Sequence, residues 1–339
     1  MKAAVLEEFH KPLKIKEVDI AEPADDEVTV EVKASGLCLT DVHISEGKIP
    51  TVKTPLIPGH ETAGVIAKKG SKVEKFDVGD RVTFIVDVSC RECPFCLRGE
   101  TNRCQNLIRI GFERNGGMAE YVNVPARNLE KFSENVSFEK AAIIPDAVAC
   151  MYRGMKTVGE VTAGTRVAIL GVGGLGMQGI KIAKLLGAHV TCTSRTEEKL
   201  ELAKSIGADE VINTKQESFL DAAKKLGEGF DVVVDNIGIK ETVYDAVVAC
   251  RNGGRVVVLG YVDPRLEIPS YEIVIKEKQV MGVRAITRDE FREVMVLVNS
   301  GQLDPDIGEL IPISQINEAL VNLQKGKYLT RSVLTLPFD

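Results

Sequence analysis

Between about residues 165 and 285 short apolar runs alternate with amphipathic ones, and most pairs are separated by glycine. "TRVAILGVGG", "AHVTCTS", "GADEVIN", "FDVVVDNIG", "GRVVVLGYV" and "KQVMGVRA" read as six strands. "GMQGIKIAKLLG", "TEEKLELAKSIG" and "KETVYDAVVACRNG" read as helices between them. Strands that are apolar throughout need cover on both faces, and helices joining successive strands supply it. The pattern predicts an α/β fold with a doubly wound, six-stranded parallel sheet.

Inside that frame, "ILGVGGLG" places Gly171, Gly173 and Gly176 as G-x-G-x-x-G between the first strand and its helix. In this context the first glycine permits a tight turn, the second lets backbone approach a pyrophosphate, and the third allows close helix–strand packing. Unpaired N–H groups at the helix start face the phosphates. The candidate dinucleotide contacts are Gly171, Val172, Gly173, Gly174, Leu175, Gly176, Ser194, Arg195, Lys199, Ile237, Leu259 and Gly260. An acid at the end of the second strand would hold the ribose hydroxyls of NAD. Ser194 stands there instead, with Arg195 next. A 2′-phosphate meets no repulsion at that point and gains a charge-assisted donor, so NADP(H) is favoured and NAD(H) is the alternative.

The flanking chain follows another grammar. "VTVEVKAS" (28–35) sets Val28, Val30, Val32 and Ala34 on one face, the period-2 mark of a half-buried strand, and "GVIAKKG" and "DRVTFIV" continue it. After residue 286, "RDEFREVMVLVNSG" and "SQINEALVNLQKG" read as helices and "RSVLTLPF" as a closing strand. The 339 residues suit two domains: 1–147 with 287–339, and 148–286. A net charge of −6 with interspersed signs points to neither nucleic acid nor a membrane surface as a partner. No apolar run nears the roughly 20 residues of a membrane helix, and Glu7 and Glu8 interrupt any signal-peptide core. The expectation is a cytoplasmic protein, where clustered cysteines serve metals or catalysis more often than disulfides.

Such a cluster exists. "CRECPFCLRGETNRC" holds Cys90, Cys93, Cys96 and Cys104 as C-x2-C-x2-C-x7-C. The spacing lets one loop wrap four thiolates about a tetrahedral ion, which leaves no open position and marks a structural zinc; an iron–sulfur cluster is the rival. A second set is scattered: Cys38, Thr40, Asp41 and His43 in "GLCLTDVH", His60 and Glu61 in "PGHE", and Asp146 and Cys150 in "IIPDAVACMYRG". One thiolate, one imidazole and one carboxylate would leave a fourth corner open, as catalytic zinc requires. Taken singly, Cys38 reads as a small hydrophobe, His60 as a loop histidine and Asp146 as a helix cap.

Together "GLCLTDVH", "PGHE", the cysteine cluster, "GVGGLG" and "KLELAKSIGAD" resemble the zinc-containing medium-chain alcohol dehydrogenase family, in its motif order and across nearly the whole chain. The resemblance implies a Rossmann domain beside a β-rich, GroES-like catalytic domain carrying a structural zinc loop. It implies Cys38 and His60 as catalytic zinc ligands, Glu61 as a transient one, Thr40 and His43 as a proton relay, and Arg331 as a pyrophosphate contact; the bland reading of Arg331 is a surface arginine. The third ligand departs from the commonest pattern, with Asp146 where a cysteine usually stands; Cys150 is the substitute. Two zinc ions per subunit, a small alcohol, aldehyde or ketone substrate and a homodimer or homotetramer follow as expectations. Polyol dehydrogenases share the scaffold, as do reductases of activated double bonds, although the latter usually lack the zinc ligands. A non-catalytic zinc- and dinucleotide-binding protein would need no relay.

Overall fold

The computed structural model describes residues 1–225, 227 and 229–338. Two compact units form: Met1–Ala149 with the chain from Ala285 onward, and Cys150–Arg284.

In the second unit, six strands run parallel: Arg166–Leu170, His189–Ser194, Glu210–Asn213, Phe230–Asp235, Cys250–Val258 and Gln279–Gly282. Their spatial order is third, second, first, fourth, fifth, sixth. The order therefore reverses between Arg166–Leu170 and Phe230–Asp235, and such switch points are where open α/β sheets bind ligands. Ala168, Val233, Ala246 and Val256 are fully buried where sheet and helices meet. One sequence reading needs correction. "KETVYDAVVACRNG" is not a single helix, because the helix Lys240–Ala249 stops and Cys250 already begins the fifth strand. The buried Lys278 ammonium donates to Val247 O at 2.7 Å and Val248 O at 3.3 Å, satisfying carbonyls that a helix end leaves open.

The first unit is built on the strand Glu27–Gly36, which pairs antiparallel with Val333–Thr335, Thr62–Lys69 and Tyr121–Pro125. Val28, Val30, Val32 and Ala34 are buried, and so are Thr29 and Ser35. The other face is covered at Thr29 and Ser35 and partly open at Glu31 and Lys33, and Thr29 Oγ1 meets Asn123 Oδ1 at 2.7 Å. The C-terminal chain returns to this unit. Leu310–Pro312 and Val333–Thr335 join its sheet, and Asn317 makes two bonds to the backbone of Leu13, at 2.8 and 2.9 Å. The helix Arg288–Asn299 starts from a reciprocal cap: Thr287 Oγ1 accepts from Glu290 N at 3.3 Å, and Thr287 N donates to Glu290 Oε2 at 2.8 Å. Its apolar stripe buries Phe291, Val294, Met295 and Val298. Among the described residues no helix is long and apolar enough to cross a membrane.

Candidate metal centres and dinucleotide loop

Cys38 caps the short helix Leu39–Ser45, which follows directly on the central strand of the first unit. His60 and Glu61 lie just before the strand Thr62–Lys69, and Asp146 sits on the π-helical turn Ile144–Val148, where Val148 N–H reaches back to Ile143 O. Such widened turns are rare and recur at functional sites. The fold brings these three segments together. Sγ of Cys38, a ring nitrogen of His60 and a carboxylate oxygen of Asp146 all lie within 4.8 Å of one another. Asp146 Oδ2 is 3.4 Å from Cys38 Sγ and 3.8 Å from His60 Nε2. Cys38 and His60 are buried, while the Asp146 side chain keeps 21% exposure, so one side of the cluster stays open.

A soft, a borderline and a hard donor converging this closely suit a divalent zinc ion. The surroundings reinforce the fit. His60 Nδ1 is 3.3 Å from Asp41 Oδ1, poorly aligned for a hydrogen bond, and neither atom has another partner. Asp41 Oδ2 accepts from Cys38 N at 3.0 Å. Asp41 thus spans two candidate ligands, the arrangement that orients a metal-binding imidazole. The sequence places Asp41 in the second donor set but gives it no role of its own. Its signal was an acid at the third helical position after Cys38, which sits where a helix-capping residue belongs. Burial opposes a proton on His60, but Asp41 and Asp146 outweigh it and hold the ring's pKa well above 6.5 when no cation is bound. A metal ion would displace that proton.

Arg331 is not a surface arginine. It is 4% exposed, and its guanidinium lies 2.9 Å from Asp146 Oδ2 and 3.2 Å from Glu61 Oε1. Burial alone would lower its pKa, but Cys38, Glu61 and Asp146 raise it, so the charge stays. Glu61 is fully buried; burial pushes its carboxyl up to about 8 against the pull of Arg331, and Oε1 accepts from Ala147 N at 2.9 Å. Thr40 Oγ1 lies 3.4 Å from Cys38 Sγ, and His43 is three residues on along the same helix. Burial, with Lys48 beside it, lowers the His43 pKa below 6.5.

Cys90, Cys93, Cys96 and Cys104 form the second cluster, with all four sulfurs within 4.8 Å of one another. Cys90 and Cys96 Sγ are 4.0 Å apart. Zn–S bonds of about 2.3 Å in a tetrahedron set sulfurs about 3.8 Å apart, so the spacing fits one ion better than a multi-iron cluster, whose thiolates sit on separate irons. Backbone N–H groups of Gln105 and Cys96 hold the Cys93 thiol down to about 6, while burial pushes Cys96 up to about 12. None of the eight cysteines is in a disulfide.

In the second unit, Gly171 has φ of 86°, and a Cβ there would lie 2.7 Å from Ile237 Cγ1. A Cβ on Gly176 would lie 2.4 Å from Gly171 O, so turn and helix are in close contact. Gly173 has nothing within 4 Å of that position, leaving the approach to Gly174–Leu185 open. Val172 and Leu175 belong to this loop, and Val172 N donates to Thr193 O. Ser194 ends the second strand and accepts from Thr196 N at 3.1 Å; Arg195 is exposed, and burial lowers the pKa of Lys199. Leu259 and Gly260 N–H groups both donate to Asp235 O, after the fifth strand, and Ile237 N donates to Asp235 Oδ1. These loops thus gather at the carboxyl ends of adjacent strands.

Residues 24–134 match the model of the alcohol dehydrogenase GroES-like domain, and residues 174–300 that of zinc-binding dehydrogenases. An alcohol dehydrogenase of Geobacillus stearothermophilus is 36% identical over 98% of this chain and 99% of its own length. An acryloyl-coenzyme A reductase of Sulfurisphaera tokodaii is 29% identical over 99% of this chain and 100% of its own, and a D-arabinose 1-dehydrogenase (NADP(+)) of Saccharolobus solfataricus is 29% identical over 98% and 97%. A crystal structure of an NAD-dependent alcohol dehydrogenase superposes with a TM-score of 0.95 at 30% identity, covering 99% of this chain and 100% of that one. A zinc-binding dehydrogenase of Sinorhizobium meliloti bound to NADP does so at 0.91 and 30%, covering 99% of each.

Proposed function

Because this chain belongs to the zinc-containing medium-chain alcohol dehydrogenase family, we propose that it is an NAD(P)-dependent enzyme interconverting primary or secondary alcohols with their aldehydes or ketones. The observation carrying this reading is the convergence of Cys38, His60 and Asp146 in a three-donor set with one open side. Those three side chains would hold the catalytic zinc, with Glu61 next to them as a further carboxylate. Zinc bound there supplies a Lewis acid that acidifies an alcohol or polarises a carbonyl. Asp41 orients His60, and Arg331 steadies Asp146 and Glu61 by charge. Thr40 would take the substrate hydroxyl proton and pass it toward His43, which its lowered pKa keeps neutral and able to accept. The Gly171–Gly176 loop would bind the pyrophosphate of a nicotinamide dinucleotide, which when bound would supply hydride transfer.

NADP(H) is our preferred cofactor, since Ser194 leaves no carboxylate to repel a 2′-phosphate and Arg195 is exposed beside it. The four-cysteine loop would carry the second, structural zinc. We also propose a homo-oligomer, dimer or tetramer: Gln279–Gly282 is an outer strand, and Tyr261, Tyr271, Val274 and Ile275 expose apolar surface on the chain before it. Eight cysteines outside any disulfide suit a cytoplasmic setting.

The acryloyl-coenzyme A reductase relative favours a second reading, reduction of activated double bonds; the arabinose dehydrogenase relative points to sugar or polyol substrates. One assay separates them. NADPH and NADH oxidation is measured against aldehydes, ketones, enones and keto-sugars, with and without a chelator. Our reading expects chelator-sensitive aldehyde or ketone reduction; chelator-insensitive turnover of enones alone would refute it.

A further inference from the structure

Away from the three-donor cluster, the first unit holds a cavity of about 260 Å³ whose wall combines three separate chain segments. Ser89, Arg91, Cys96 and Thr101 come from the cysteine loop, Arg127 and Asn128 from the turn after Tyr121–Pro125, and Arg288 from the start of Arg288–Asn299. We propose that this cavity binds a tetrahedral oxyanion of the phosphate class, held by Arg91, Arg127 and Arg288.

Charge makes the case. Three arginines, Arg91, Arg127 and Arg288, line one small cavity, and Asp87, buried in the same wall, is the one acid lining it. Arg288 forms no ion pair among the described residues, and its Nε is buried without a hydrogen-bond partner. Arg127 Nε is likewise buried and unpartnered, although its Nη1 reaches Asp26 at 3.2 Å. Buried donors left unsatisfied are costly, and an acceptor-rich ligand would relieve both. Guanidinium forks match phosphate oxygens in pairs. The helix beginning at Arg288 adds the positive end of its dipole, and Arg288 N already donates to Thr101 Oγ1 at 3.2 Å. Asn128 is engaged structurally, donating Nδ2 to Ile85 O and Asp87 O, so the wall is firm without a ligand. The volume exceeds a bare phosphate ion, which leaves room for a small phosphomonoester.

The test uses the metal-loaded enzyme saturated with dinucleotide, so that the Gly171–Gly176 loop cannot answer for the new site. Inorganic phosphate is titrated calorimetrically at constant ionic strength, with chloride and acetate as comparisons. We expect saturable phosphate binding, weakened at least about tenfold by Arg288→Gln and by Arg127→Gln, and unchanged by Arg98→Gln, whose exposed guanidinium bonds to Glu100 instead. If either cavity variant fails to fold, the wild-type Arg288 Nε–H resonance, followed through the same titration, gives the answer: it should shift with phosphate and not with chloride. Phosphate binding no tighter than chloride, tighter binding of acetate, or equal binding by both folded cavity variants would overturn the proposal.

Discussion

A single oxygen, Asp146 Oδ2, faces Cys38, His60 and Arg331 at once. Around it each residue has a separable duty. Asp41 reaches two ligand segments, so Asp41→Asn should reduce affinity for the catalytic metal by about 10–100-fold without touching the four-cysteine loop; metal titration with both sites monitored separately checks this. His43 carries the pH dependence. Burial and Lys48 lower its pKa below 6.5, so the neutral form predominates at that pH and above, and the proton is gained in more acidic solution. As acceptor in alcohol oxidation it should give a kcat/KM plateau near neutrality and an acid limb below 6.5. His43→Gln should remove that limb and cost on the order of 10²-fold in rate, read from a pH–rate profile. Ser194→Asp should move the ratio of kcat/KM values toward NAD; an unchanged ratio would discredit the NADP preference. The residue types in this cluster were visible in the sequence, but their convergence was not. Cys38 and Asp146 are 108 residues apart, and no local pattern reports that Arg331 ends up against Asp146 rather than at the surface.

Among the elements, the strands were the most legible. Their apolar runs are short, bounded by glycine and unsuited to a single covered face. Boundaries that rest on tertiary partners were not legible, as at Cys250, where the buried Lys278 closes the preceding helix from a distance in sequence. Thr29 and Ser35 were likewise read as solvent-facing by alternation, whereas neighbouring chain covers them. The helix Arg288–Asn299 carries a capping signature, Thr-x-x-Glu, that predicts its own cost: Thr287→Ala should destabilise by about 1 kcal/mol in chemical denaturation. The cysteine loop has a helix of only Pro94–Leu97 and a single turn at Thr101–Arg103, too little to hold itself. Cys104→Ser should therefore release one metal and lower Tm before it alters the chemistry, as parallel metal and melting measurements would show.

For the whole molecule, the spatial order of the six parallel strands places the glycine loop at the reversal point; the strand–helix alternation predicts the parallel sheet, whereas the strand order is seen only in the fold. Assembly is written less clearly, because exposed apolar residues near an outer strand signal contact without specifying a partner. Light scattering coupled to gel filtration should give a multiple of 36.9 kDa, and a monomer at micromolar concentration would contradict the proposed oligomer. The central claim is that one chain binds two ions of different character, one enclosed by sulfur and one with an open face. Elemental analysis of fully active, dialysed enzyme tests it most directly. Two zinc ions per chain are predicted, falling to one, with turnover lost, in Cys38→Ser; full activity with a single ion per chain, or a Cys38→Ser variant that keeps both ions and its turnover, would contradict it.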